Sequence, residues 1–317
     1  MTSDFSTAMD LLLGERPTLE EVQQAASLFE SASQQGHAEA SERGSLLAAL
    51  GSASPPDWDR ALDLLATAAT QGSLSAREQL LLLADNGVDP VIPVQAPSDF
   101  WTGLRRRVSL EQRMTPPDKQ GLSERPRIRM IRRFATSAEC RWLVNLGRER
   151  LAPATVFDPT TGAQIANSAR DNSFLELRIG EMNLLTEVIR QRISAATKLP
   201  VPLFEPSQIL HYSVGQRFKP HHDYLDPANG AYHDSLRQFG QRIATFLIYL
   251  NDGYEGGETS FPKIGLNFRA REGDALFFAN VTIEGEPDPS TLHAGVAPSS
   301  GEKWVFSQWI RDRYPGA

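Results

Sequence analysis

A chain of 317 residues, 40% hydrophobic and 22% charged, is long enough for two domains and too rich in apolar side chains to be disordered or fibrous. Its formal net charge of −7 speaks against nonspecific nucleic-acid binding, which rests on lysine and arginine neutralising phosphates. A single cysteine, Cys140, excludes an internal disulfide and a thiolate metal cluster.

The N-terminus, MTSDFSTAMDLLLGERP, has neither the basic start nor the long apolar stretch of a leader. No apolar run nears the ~18 residues of a spanning helix. A cytoplasmic protein with no membrane contact is therefore expected. The arginines at 105–107 and those between Arg125 and Arg133 read as solvated faces rather than a polyanion site.

Residues 1–85 repeat with an offset of 36: Thr18 matches Ser54, Glu21 Asp57, Ala25 Ala61, Leu28 Leu64, Gly36 Gly72 and Ala40 Ala76. Each copy opens on a capping pattern, Thr18-x-x-Glu21 and Ser54-x-x-Asp57, in which a hydroxyl satisfies an amide of the first helical turn. Apolar positions follow at helical spacing: Val22, Ala25, Ala26 and Phe29 in the first copy, Trp58, Ala61, Leu62 and Leu65 in the second. A glycine then closes each helix. This helix-pair repeat resembles the tetratricopeptide-related Sel-like repeats, which implies a small all-α interaction domain. A plain bundle of helical hairpins is the alternative.

Residues 86–124, with Pro90, Pro93, Pro97, Pro116 and Pro117 and little periodicity, are expected to form an irregular linker. From 125 to 317 the pattern changes. Thr136-x-x-Glu139 caps a short helix, and Leu185, Val188, Ile189, Ile193 and Ala196 mark an amphipathic helix ending before Pro200. Beyond Ser207 come short strands broken by turn residues: QILHYSV, QRIATFLIYL, GLNFRA, DALFFAN and KWVFSQWIR. Helices followed by a run of strands predict an α+β domain whose β part is a small barrel or jelly roll. Phe261, Phe268, Phe277, Phe278, Trp304 and Trp309 are its core candidates.

His221 and Asp223 stand two apart in FKPHHDYLD, so an extended chain turns both to one face. His293 follows seventy residues after Asp223, and only a closed sheet would bring it alongside. Two imidazoles and a carboxylate on one face of an octahedral metal leave three positions open, the facial triad of iron(II) oxygenases. His-x-Asp by itself is common in surface loops. His222, between the two ligands, should point the opposite way.

The surrounding segments narrow the reading. PRIRMIRRFATSAEC, the pattern Y-x-x-G-Q-x-F-x-P-H-x-D from Tyr212 to Asp223, QRIATFLIYLND, GGETSFP, EGDALFFAN and LHAGVAPSSGEKWVFSQWIR occur in this order. Over about residues 125–313 the chain resembles the prolyl 4-hydroxylase branch of the Fe(II)/2-oxoglutarate-dependent oxygenases. The resemblance implies a double-stranded β-helix holding Fe(2+) through His221, Asp223 and His293.

Lys303, ten residues after His293, would pair with the far carboxylate of 2-oxoglutarate, and the Tyr212 hydroxyl would hydrogen-bond the same cosubstrate. Thr245 and Tyr249 share a strand face by period two and are expected to line that pocket, with core packing as the alternative. Gly256 and Gly257 read as a tight turn beside it.

The same resemblance implies consumption of O2, release of succinate and CO2, L-ascorbate as reductant, and a prolyl residue of a protein or peptide as substrate. The stretch 224–241, with His233, looks like a loop over the pocket mouth and is longer than the family pattern. Hydroxylation of a free amino acid or small metabolite, or a weakly catalytic scaffold acting through the repeats, are the alternatives. The repeats are expected to recognise the protein or peptide partner.

Overall fold

The computed structural model describes residues 3–14, 17–52, 55–84, 92–93, 96–154, 156–157, 164–165 and 170–314. The chain divides into two units, one of Met1–Thr115 with Leu177–Ile193, the other of Pro116–Glu176 with Ser194–Ala317.

The first unit is helical: α1 (Ser3–Leu12), α2 (Leu19–Gln34), α3 (Ala38–Leu50), α4 (Trp58–Gln71), α5 (Leu74–Ala84), α6 (Ser98–Arg107) and α7 (Leu110–Met114). Thr18 and Glu21 close the expected capping box on α2. In the second copy Asp57 itself caps α4, accepting from the Arg60 amide at 2.9 Å, while Ser54 lies outside the described residues. With Pro55 and Pro56 in the way, α4 starts late relative to α2, whereas α3 and α5 keep the offset of 36. Val22, Ala25 and Phe29 are buried with Ala8 and Leu12 of α1, a helix the periodicity did not announce.

The expected linker is corrected in part: α6 and α7 fill its centre. Its prolines sit at 90–97 and 116–117, leaving an uninterrupted stretch between them that buries Trp101 and Leu104.

Helix α8 (Ser137–Arg148), capped by Thr136 and Glu139, belongs to the second unit. The amphipathic helix is present as α9 (Leu184–Thr197), yet most of it counts with the first unit. Its predicted stripe is buried, and so are Thr186, Glu187, Arg190 and Arg192. Within the helical unit the segment 177–193 is tied down by its backbone. Arg43 donates to the Met182 carbonyl at 2.8 Å, and the Leu185 amide donates to Gln79 Oε1 at 3.2 Å. Gln79 is held in turn by Glu42 at 2.7 Å, and Glu42 also accepts from Ser73 and Ser75.

The second unit is built of strands: β1 (Lys119–Glu124), β2 (Arg127–Ile131), β3 (Ala152–Pro153), β4 (Val156–Phe157), β5 (Gln164–Ile165), β6 (Ser173–Leu177), β7 (Ser207–Tyr212), β8 (Phe218–His221), β9 (Arg242–Tyr249), β10 (Glu255–Gly256), β11 (Thr259–Phe261), β12 (Leu266–Phe268), β13 (Ala275–Ala279), β14 (His293–Gly295), β15 (Pro298–Ser300) and β16 (Lys303–Arg311). A short helix, α10 (His233–Phe239), lies in the long loop before β9.

The large sheet runs β1-β2-β13-β9-β16-β7-β6-β3 and the small one β12-β11-β14-β8; the pairs from β1 through to β7, the β6·β3 pair and all those of the small sheet are antiparallel. Apolar side chains of both sheets share one core, Phe261 and Phe268 from the small sheet meeting Met130, Leu210, Tyr249, Leu276, Phe278 and Val305 from the large. This is the expected jelly roll. Alternation decides the aromatic candidates: Phe278 and Trp304 are fully covered, whereas Phe277 and Trp309 are half-buried, and Arg242 lies 3.9 Å over the Trp309 ring. No helix among the described residues is long and apolar enough to cross a membrane.

Candidate functional site

The small sheet brings the three candidate ligands together. His293 opens β14 and His221 closes β8, and the two are direct register partners. Asp223 follows two residues later, its carboxylate 3.6 Å from His221 Nε2 and 3.5 Å from His293 Nε2. One ligand atom from each residue fits within 4.8 Å of the others, the only such grouping of three among the described residues.

Hydrogen bonds fix the imidazole tautomers. His221 Nδ1 donates to the Lys219 carbonyl at 2.8 Å and His293 Nδ1 to the Thr291 carbonyl at 3.0 Å, leaving each Nε2 with a lone pair facing the same space. Burial among Phe261 and Phe278 pushes the His293 pKa down to about 4, so it is neutral at physiological pH, as a metal ligand must be. Asp223 is almost fully buried, which by itself would favour the neutral acid, but the two histidines and Thr245 outweigh this and hold its pKa well below the usual carboxylate range. Two imidazole nitrogens and an anionic oxygen, crowded from one side only, suit iron(II) with open positions opposite.

Lys303 begins β16 and pairs in register with Tyr212 of β7. Its ammonium is buried 5.4 Å from the Tyr212 ring centre and 5.6 Å from that of Tyr249. No ion pair reaches it among the described residues. Burial lowers its pKa to about 8, with Glu258 pulling the other way. A buried cation without an ion-pair partner among the described residues fits a ligand that brings its own carboxylate. Tyr212 is pushed up to about 12 by burial and is therefore a proton donor.

Gly257, at φ +70, brings the turn so close that an added Cβ would stand 2.7 Å from the Tyr254 ring and 3.5 Å from Lys303 Cδ. This is the tight turn expected of the paired glycines.

Both expected pocket residues have their hydroxyls engaged within the chain. The Thr245 hydroxyl donates to Asp223 Oδ2 at 2.7 Å, so it serves the carboxylate instead of an incoming cosubstrate. The Tyr249 hydroxyl pairs with Thr259 Oγ1 at 2.7 Å, which adds Thr259 to the pocket wall; it stands in GGETSFP, read from the sequence for its glycines alone.

Asn280 and Arg170 were also missed. Asn280 donates to Thr245 Oγ1 at 3.0 Å. Arg170 is buried with its guanidinium 5.3 Å from the Phe174 ring and 5.0 Å from the Phe218 ring, bonded to Asn172 and Gln208. Arg170 is a lone cation in a polar stretch, and no periodicity marks it.

The remaining histidines take no part in the triad. His222 turns away to the Pro289 carbonyl and stacks on Tyr224, His233 meets the Pro227 carbonyl, His211 pairs with Glu302, and His37 caps α3.

Residues 207–311 match the 2OG-Fe(II) oxygenase superfamily. "Probable prolyl 4-hydroxylase 10" of Arabidopsis thaliana is 37% identical over 210 residues, covering 60% of this chain and 70% of that protein. "Prolyl 4-hydroxylase 1" of the same plant is 36% identical over 203 residues, covering 59% and 70%. Among solved structures, the viral collagen prolyl hydroxylase of Paramecium Bursaria Chlorella virus-1 is 26% identical, with 58% of this chain and 94% of that one covered at a TM-score of 0.45.

Proposed function

Because the chain belongs to the prolyl 4-hydroxylase family of 2OG-Fe(II) oxygenases, we propose that it hydroxylates a prolyl residue of a protein or peptide. When bound, iron(II) and 2-oxoglutarate supply the oxidising chemistry, with O2 consumed and succinate and CO2 released.

The chain's own residues supply geometry and surroundings. His221, Asp223 and His293 hold the metal from one side. Lys303 anchors the far carboxylate of 2-oxoglutarate by charge, and Tyr212 adds a protonated hydroxyl on the neighbouring strand. Phe218, stacked on His221 at 3.5 Å between ring centres, and Phe261 and Phe278 around His293 keep bulk water from the ligands. Ascorbate is the proposed reductant that keeps the metal ferrous.

The observation that carries the reading is the triad, with Asp223 and His293 buried and His221 half-buried, and Lys303 reaching the same barrel interior from β16. For the partner, the face of the helical unit that bears Arg43 and Gln79 is taken by the chain's own segment 177–193. A protein partner would use the helices' remaining exposed surface, while the target proline enters the oxygenase unit.

The test is turnover with iron(II), ascorbate and proline-containing peptides, following succinate and the mass gain of one oxygen atom on the peptide. Succinate without peptide hydroxylation across proline-rich and proline-poor peptides, together with oxygenation of free amino acids, would move the assignment to a small-molecule substrate.

A further inference from the structure

The three-residue chain Asn280, Thr245, Asp223 is buried throughout, with exposures of 0%, 1% and 4%. Its hydrogen-bond directions follow from chemistry alone. The Thr245 hydroxyl donates to Asp223 Oδ2, 2.7 Å away, so its single proton is committed there. With its proton committed, Thr245 Oγ1 can only accept from Asn280, which must therefore present its amide nitrogen, at 3.0 Å. This orientation leaves Asn280 Oδ1 buried without a partner among the described residues. A lone buried amide oxygen is costly, and it persists here because the polarity of the chain requires it.

The consequence falls on the carboxylate. Each oxygen faces one imidazole, Oδ1 lying 3.6 Å from His221 Nε2 and Oδ2 3.5 Å from His293 Nε2, but only Oδ2 carries the charge-assisted hydrogen bond from Thr245, which draws electron density from it. The two oxygens are thus unequal as metal donors.

We propose that Asn280 and Thr245 are positioning residues that confine Asp223 to binding iron through one oxygen, keeping a coordination position open for 2-oxoglutarate and oxygen. The count makes this matter. Two histidines and one carboxylate oxygen fill three of six octahedral positions, and a two-point 2-oxoglutarate together with oxygen needs the other three. A carboxylate binding through both oxygens leaves only two. The inference rests on the iron and 2-oxoglutarate assignment above.

The experiment compares full-length wild type with Thr245→Val, Thr245→Ser and Asn280→Leu. Iron(II) affinity is measured by competition with a chelator. Separately, 2-oxoglutarate affinity is measured without oxygen, by the visible charge-transfer absorption that appears when it chelates iron(II).

Thr245→Val should keep iron within about threefold of wild type but bind 2-oxoglutarate roughly tenfold more weakly or worse, because one charge-assisted hydrogen bond is lost. Thr245→Ser should restore wild-type behaviour, and Asn280→Leu should shift in the same sense as Thr245→Val by a smaller factor. If Thr245→Val does not fold, the Asn280→Leu measurement decides. Unchanged 2-oxoglutarate affinity in the valine and leucine variants, or equal losses of iron and 2-oxoglutarate, would overturn the proposal, as would failure of serine to rescue. A wild type that binds iron yet shows no 2-oxoglutarate absorption would instead sink the underlying assignment, and the proposal with it.

Discussion

His221 and His293 face each other across β8 and β14 as register partners, so the small sheet itself sets the distance between the two imidazoles. Metal binding should then depend on side chains that the backbone has already aligned. We expect one iron(II) per chain in wild type and a loss of most bound iron in His221→Ala and in Asp223→Ala, read by metal analysis after gel filtration. Near-stoichiometric iron in both variants would remove the triad from consideration.

Lys303→Ala should raise the 2-oxoglutarate requirement far more than it weakens iron binding. Removing a charge-assisted contact in a buried pocket costs about 2–3 kcal/mol, or roughly 30- to 150-fold in affinity. Titration of each ligand separately checks the split, and parallel losses would contradict it.

The same lysine should impose a pH dependence. Burial lowers its pKa to about 8, so without ligand it is charged below that pH and loses its charge above it. Affinity for 2-oxoglutarate should fall as pH rises through this region, with the bound dicarboxylate shifting the midpoint upward by favouring the charged form. Lys303→Arg stays charged and should give a flat profile over the same range, even where its bulk weakens binding overall. A wild-type profile as flat as that of the arginine variant would count against the buried ammonium.

Gly257→Ala places a Cβ 2.7 Å from the Tyr254 ring at a φ of +70, beside the Lys303 stem. The left-handed backbone alone costs about 1–2 kcal/mol. Thermal unfolding should show a Tm lower by several degrees, and the 2-oxoglutarate requirement should rise while iron binding holds. An alanine variant with both quantities unchanged would show that the turn has room to relax.

A chain beginning near Pro116 should be insoluble. It would retain Leu184, Leu185, Val188 and Ile189, all fully buried, but lose Arg43 and Gln79, which bind the backbone of that segment. Expression and gel filtration of residues 116–317 check this, and a soluble monomer that binds iron would refute it.

Much of the site could be read from the sequence because the motifs there are short-range. His221 and Asp223 lie two residues apart at the end of β8, and a fixed spacing of ten residues places His293 at the start of β14 and Lys303 at the start of β16. Helical caps at Thr18 and Thr136 were equally visible, since each closes within three residues. Features that depend on distant partners were hidden. Thr245 was assigned to the pocket by its strand face, but what its hydroxyl does depends on Asp223 and Asn280, 22 and 35 residues away. The amphipathic stripe of α9 was correct for one face and gave no warning that Arg190 and Arg192 on the other would also be covered. Local periodicity records which side of an element is apolar, and it does not record how many neighbours will pack on it.

The detour of the chain through residues 177–193 also has a consequence in time. A ribosome that has released the last of the helices, α7, has not yet made the segment that completes their unit. At about 5–20 residues per second, synthesis of the intervening stretch takes on the order of ten seconds. During that interval Arg43 and Gln79 lack the Met182 carbonyl and Leu185 amide they bind in the folded protein. The helical unit is therefore complete only once residue 193 has been made, before the strands from β7 onward exist.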